Sequence, residues 1–171
     1  MKENKNFVKE AIPYIVIIIV VILIRTFIIT PVKVDGDSML PTLKDKEFLL
    51  LKKYDKSFNR FDVIVFENGG DRIIKRVIGL PGEKVEYKEN KLYIHGKYIK
   101  ENFKRNSKTA DFKLADIKLK KVPKNSYFVM GDNRNNSSDS RFFGPVPKEK
   151  IKGSTNLSIY PFKRAGKINK E

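Results

Sequence analysis

A chain of 171 residues with a formal charge of +16 and no cysteine accommodates one globular domain and an appendage, and is too short for two full domains. The missing cysteines exclude a disulfide framework, thiolate catalysis and thiolate metal sites, while leaving the redox compartment open. The charge predicts attraction to polyanions such as nucleic acid, anionic headgroups or acidic wall polymers; it gives the partner's sign and not its identity.

In chain order, Lys2, Lys5 and Lys9 precede an apolar segment from Ala11 to Ile24 that resumes after Arg25 and ends at Thr30-Pro31. About 20 residues at 1.5 Å rise cover the ~30 Å hydrocarbon core of a bilayer, and Arg25 near the far end can snorkel to the interface. A buried core helix is the rival, but Ile15 to Ile24 offers no polar face to solvent. A cleavable signal needs small residues at its cleavage site, and Thr26-Phe27-Ile28-Ile29 supplies none. The segment therefore reads as an uncleaved anchor. The expected organisation is a cytoplasmic tail over 1–10, an anchor over 11–30 and an extracytoplasmic domain over 31–171, with cationic residues flanking the anchor on both sides.

The domain reads as short strands. Phe48 to Leu51 and Val63 to Phe66 are apolar runs of the kind buried on both faces, expected to pair in the core. Ile73 to Ile78 is a further strand, closed by Gly79-Leu80-Pro81-Gly82, and Lys84 to Ile99 is a meander with tight turns at Glu89-Asn90 and His95-Gly96. Residues 100–124 are polar and lysine-rich and read as a surface excursion. Tyr127 to Met130 is the last clear core strand and runs into a loop, Gly131 to Gly144, dense in hydrogen-bonding side chains. The tail after Lys163 reads as frayed.

The candidate chemistries narrow quickly. His95, the only histidine, falls on a hairpin turn and suits no Ser-His-Asp triad. Asp132 to Asn136 looks like a calcium loop, yet Arg134 takes the third ligand position and the glycine and terminal glutamate are missing. No phosphate-cradling glycine loop is present, and no cofactor or metal is expected. Ser38, within Asp35-Gly36-Asp37-Ser38-Met39-Leu40-Pro41, reads by itself as a turn serine. The compatible pairing is a serine activated by lysine. A lysine acts as base only when neutral, so burial must lower its pKa from about 10.4 by roughly three units, on the order of 4 kcal/mol. Lys75, mid-strand between aliphatic neighbours, is the lysine most clearly placed for this.

Four ordered stretches, Gly36 to Leu43, Arg60 to Phe66, Lys75 to Gly82 and Gly131 to Arg141, together resemble the boxes of the type I signal peptidases, in the compact Gram-positive form without a large inserted subdomain. The resemblance implies a mainly β catalytic domain of antiparallel sheets behind one N-terminal transmembrane helix. It implies Ser38 as nucleophile, Lys75 as general base, Ser137 hydrogen-bonded to the lysine amine, Asp139 and Arg141 as a supporting polar pair, and Asp132 to Arg134 as the fixers of the turn. One departure concerns the oxyanion hole: some members carry a hydroxyl residue two positions before the nucleophile, and here that residue is Gly36. The hole is then expected from backbone N–H groups, those of Ser38 and Gly36.

The function implied is a membrane-anchored serine endopeptidase that removes signal peptides from secretory preproteins. Substrate is expected extended along strand edges near Val32-Lys33-Val34 and Asp71-Arg72-Ile73, with small side chains before the cut. Membrane lipids are the other expected partner, and no specific nucleic acid is expected. Two rivals remain: a self-cleaving repressor-type Ser-Lys protease, against which the anchor argues, and a membrane-tethered cationic module binding acidic polymers or nucleic acid.

Overall fold

The computed structural model describes residues 3–55 and 57–168. Helix α1 (Glu3–Phe27) carries the apolar run. Its stretch Lys9–Phe27 is long and apolar enough to cross a bilayer, and none of it is buried against the protein. A core helix of the same composition would be covered. The helix ends at Phe27, short of the apolar run's end at Thr30, because Ile29 and Thr30 already pair with Lys52 and Leu51. Lys53 closes the junction, its Nζ donating to the Thr26 carbonyl at 3.0 Å, a cation where the helix dipole favours one.

All strand pairings in the domain are antiparallel. The strands are β1 (Ile29–Lys33), β2 (Phe48–Lys52), β3 (Val63–Asn68), β4 (Asp71–Gly79), β5 (Val85–Lys88), β6 (Lys91–Ile94), β7 (Lys97–Ile99), β8 (Phe112–Lys113), β9 (Ser126–Met130), β10 (Val146–Pro147), β11 (Ile151–Tyr160) and β12 (Gly166–Lys167). The larger sheet has the order β1-β2-β11-β3-β4-β9-β10, with β12 paired to β11; the smaller has the order β7-β6-β5-β8. A short α-helix, α2 (Ser140–Phe143), follows the loop after β9. One core packs Val32, Met39, Leu43, Leu49, Val65 and Ile74, a second packs the smaller sheet through Tyr87, Leu92, Phe112 and Phe128, and a third gathers Phe66, Val77, Tyr127 and Val129.

Three readings of the sequence are corrected. First, β2 and β3 do not pair with each other, since the ten-residue β11 lies between them. That strand escapes pattern reading because its buried positions are the small and polar Gly153, Ser154, Thr155 and Ser158. In the same region β2 alternates, with Leu49 and Leu51 buried and Phe48 exposed, while Val63 to Phe66 of β3 are covered on both faces. Second, the tail is not frayed as far as it is described: Lys167 pairs with Leu157, and Ile168 donates to the Asn156 carbonyl at 2.8 Å and is buried. Third, the lysine-rich excursion is not merely surface. Thr109, Phe112, Leu114 and Val122 are buried, and the short strand β8 runs into a 3-10 turn, Leu114–Ile117.

Candidate active site

The nucleophile candidate sits on a turn pinned from both ends. Val32 and Val34 before it and Met39 and Leu43 after it are buried in one core, so Ser38 stands half-buried at the lip while the chain around it cannot drift. The turn closes with Leu40 N–H on the Asp37 carbonyl at 3.1 Å and Leu43 N–H on the Met39 carbonyl at 3.0 Å. Across the sheet, β4 delivers Lys75. Its Nζ lies 2.5 Å from Ser38 Oγ, as donor in the protonated amine. In the neutral amine the hydroxyl donates along the same line.

Lys75 is 3% exposed, and no carboxylate oxygen lies within ion-pair distance of its amine among the described residues. Burial lowers its pKa from 10.5 to about 8, with Asp139 and then Asp132 pulling the other way from a distance. Arg76 is equally buried but differently served: it donates to Asp132 through Nε at 2.7 Å and Nη2 at 2.5 Å, and to the Phe61 carbonyl at 2.9 Å. Its guanidinium lies 4.1 Å from the centre of the Phe103 ring.

The loop after β9 grips the nucleophile turn. Asn133 N–H donates to the Ser38 carbonyl at 3.0 Å, and its Nδ2 donates to the Asp37 carbonyl at 3.1 Å. Asp132 accepts from Thr42 Oγ1 at 2.6 Å, tying the other side of the turn to Arg76. Gly131 has no room for a side chain, since a Cβ would overlap Ser137 Oγ and the Ser38 carbonyl oxygen. Asp139 is fully buried and accepts from Gly131 N–H at 3.1 Å and from Arg141 through Nε at 2.8 Å and Nη2 at 2.9 Å. Arg141 also donates to the Arg134 carbonyl at 2.7 Å. Asp139 and Arg141 therefore form one bidentate pair that braces the loop carrying Ser137.

Two expected contacts are not made. The Ser137 hydroxyl is buried with no hydrogen-bond partner among the described residues; it packs against Gly131 and does not bond the Lys75 amine. The Gly36 N–H donates to Asp45 Oδ1 at 2.9 Å, so it is engaged and does not stand as an oxyanion donor. The Ser38 N–H meets no acceptor among the described residues. Sequence reading gave Asn133 as a fixer of the turn but not its two bonds to the Ser38 and Asp37 carbonyls, and it missed the Thr42–Asp132–Arg76 chain. The available signal was Arg76 itself: neighbours on a strand leave opposite faces, so a second buried cation beside Lys75 required a buried acid.

A groove of about 690 Å³ runs past the pair, lined on one side by Lys33, Val34 and Asp35 and on the other by Asp71 to Ile74, with Ser38 and Lys75 between. Both walls offer backbone. β1 is an edge strand, and β9 pairs with β4 only from Arg76 onward, leaving residues 71–75 open on that side. The arrangement holds a hydroxyl against a desolvated amine beside a trough for an extended chain, which suits acyl transfer.

Comparison with known proteins gives the same direction. The profile of the family described as "Signal peptidase, peptidase S26" matches residues 6–160. Signal peptidase I S of Bacillus subtilis is 40% identical, with 99% of this chain and 97% of that protein covered. Signal peptidase IB of Staphylococcus aureus is 35% identical over 93% of this chain and 92% of its own length. The crystal structure of a signal peptidase I from Enterococcus faecalis superposes with a TM-score of 0.53 at 42% identity, covering 58% of this chain and 97% of the other.

Proposed function

Because the chain belongs to the signal peptidases of peptidase family S26, we propose that it is the membrane-anchored serine endopeptidase that removes signal peptides from exported preproteins, with Ser38 as nucleophile and Lys75 as base. The observation that carries this reading is the 2.5 Å approach of Lys75 Nζ to Ser38 Oγ in a site where burial lowers the amine's pKa to about 8. The rival reading as a tethered cationic module finds no support among the relatives.

The preprotein lies extended in the groove, adding main-chain hydrogen bonds to the open edges of β1 and β4. Neutral Lys75 accepts the Ser38 proton as Oγ attacks the scissile carbonyl. The negative charge developing on that oxygen faces the unpartnered Ser38 N–H. The Lys75 ammonium then protonates the departing amine, leaving the acyl-enzyme. Water, deprotonated by the regenerated amine, attacks the ester; the carbonyl re-forms, Oγ leaves and takes back its proton. Asp139 and Arg141 shape the loop, and Ser137 offers a hydroxyl with its hydrogen bonds unused.

In this reading the catalytic domain lies on the extracytoplasmic side, where exported chains emerge, with α1 as its anchor. The absence of native cysteine makes sidedness simple to measure: a cysteine introduced at exposed Lys97 is labelled in intact cells by a membrane-impermeant maleimide, and protection from that label until lysis overturns the placement. For the activity, Ser38→Ala and Lys75→Ala each abolish cleavage of a precursor with small residues before its cut, with fold retained. Cleavage by either variant at the wild-type rate removes the dyad from the mechanism.

A further inference from the structure

The polar segment 101–109 ties the loop after β9 at five points. Arg134 donates to Glu101 Oε1 at 2.6 Å and to Thr109 Oγ1 at 2.6 Å. Asn135 N–H donates to Ser107 Oγ at 3.2 Å. The remaining two ties both come from Asn106: its N–H reaches the Asp132 carbonyl at 3.2 Å, and its Nδ2 reaches Asn133 Oδ1 at 3.3 Å.

The last contact bears on the nucleophile. Asn133 holds both carbonyls around Ser38, one through its backbone N–H and one through its Nδ2. Its carboxamide can do so only with the NH₂ turned toward Asp37; the flipped amide would set oxygen against oxygen. The one partner of Asn133 Oδ1 among the described residues is the Asn106 amide. We propose that Asn106 is a positioning residue for the reaction, holding the Asn133 carboxamide in the orientation that keeps Ser38 in register with Lys75. The proposal rests on Ser38 being the nucleophile. Asn106 itself is exposed and belongs to no hydrophobic core, so its influence on rate is separable from any on folding.

The test uses the full chain in detergent micelles and a peptide spanning a signal-peptide cut, with kcat, KM, Tm and the pH profile read for each variant. Asn106→Ala lowers kcat about fivefold with KM within about twofold, because the misplacement is partial. Asn106→Asp lowers it further, by roughly twentyfold or more, since a carboxylate only accepts and draws the Asn133 NH₂ away from Asp37. Asn106→Gln, which keeps the donor, retains at least about half the rate. The pH midpoint of the alanine variant stays at the wild-type value while its plateau falls, and Tm moves by no more than about 2 °C. A wild-type kcat in Asn106→Asp, a loss carried by KM, or a kcat loss matched by loss of folded protein overturns the role. If Ser38→Ala still cleaves, the underlying dyad fails instead, so the two failures are distinguishable.

Discussion

Lys75 and Arg76 are neighbours on one strand, both cations and both buried, yet the two sides of β4 treat them oppositely. Arg76 meets a bidentate carboxylate, a carbonyl and an aromatic face. Lys75 meets a hydroxyl, while the carboxylates of Asp139 and Asp132 are bound to Arg141 and Arg76. The amine proposed as the base is the one from which a counter-ion is withheld. Burial without a partner leaves a base, and burial with a partner leaves a structural pin.

The most severe way to break this contrast is to make the two residues alike. Lys75→Arg places a group that cannot lose its proton near pH 8 beside Ser38, and cleavage falls by at least about 10³-fold, as in Ser38→Ala. A residual rate within tenfold of wild type would mean that the base is some other group. On the other face, Asp132→Asn takes from buried Arg76 the bidentate carboxylate it holds at 2.7 and 2.5 Å and destabilises the fold by about 3–5 kcal/mol. That is a fall in Tm of roughly 10 °C. It also removes one carboxylate that raises the Lys75 pKa, so the rate of the folded fraction reaches its plateau at a lower pH than in wild type.

The contrast has a thermodynamic side. The folded Lys75 pKa of about 8 lies below the ordinary 10.5, so the group opposes folding by up to roughly 3 kcal/mol wherever it is charged in the native state. The penalty is full below pH 8, falls as pH rises from 8 toward 10.5, and is absent above. Lys75→Met, of similar length and uncharged, is therefore inactive but more stable than wild type at pH 7, with the advantage vanishing by about pH 11. Equal denaturation midpoints at pH 7 would contradict a desolvated lysine. The wild-type rate follows the neutral fraction, rising about tenfold per pH unit well below 8 and levelling above it.

How much of this was legible in the sequence depends on what each element is made from. The anchor and the β-rich class were readable because long apolar runs and short apolar strands are local signals, whereas Ser38 and Lys75 came from the resemblance of four boxes spread along the chain, and the fold brings the two together at 2.5 Å. Strand β11 was not, since a central strand of Gly153, Ser154, Thr155 and Ser158 is buried by its neighbours rather than by its own hydrophobicity. The strap at 101–109 was hidden for a similar reason: Glu101, Asn106 and Thr109 gain meaning only from Asn133 and Arg134, some 25 or more residues onward. The Ser137 contact was drawn from a resemblance, and here the hydroxyl lies against Gly131 instead.

The division between engaged and open groups also runs through the backbone of the nucleophile turn. Gly36 N–H is committed to Asp45, so the Ser38 N–H is left as the single donor argued for the oxyanion. Gly36→Ser asks whether that is enough. Gly36 has φ of +83°, and no described heavy atom beyond its chain neighbours lies within 4 Å of where a Cβ would stand, so a serine meets conformational strain of about 1–2 kcal/mol and no clash. Tm should fall by roughly 2–6 °C on that account. If the added hydroxyl reaches the developing charge, kcat rises by roughly three- to tenfold, well under the 10²–10³ of an ideally placed donor, because strain and imperfect aim discount it. Gly36→Ala carries the same strain without the hydroxyl and separates the two effects: equal rates in the alanine and serine variants mean that the position is silent and that the backbone donor already suffices.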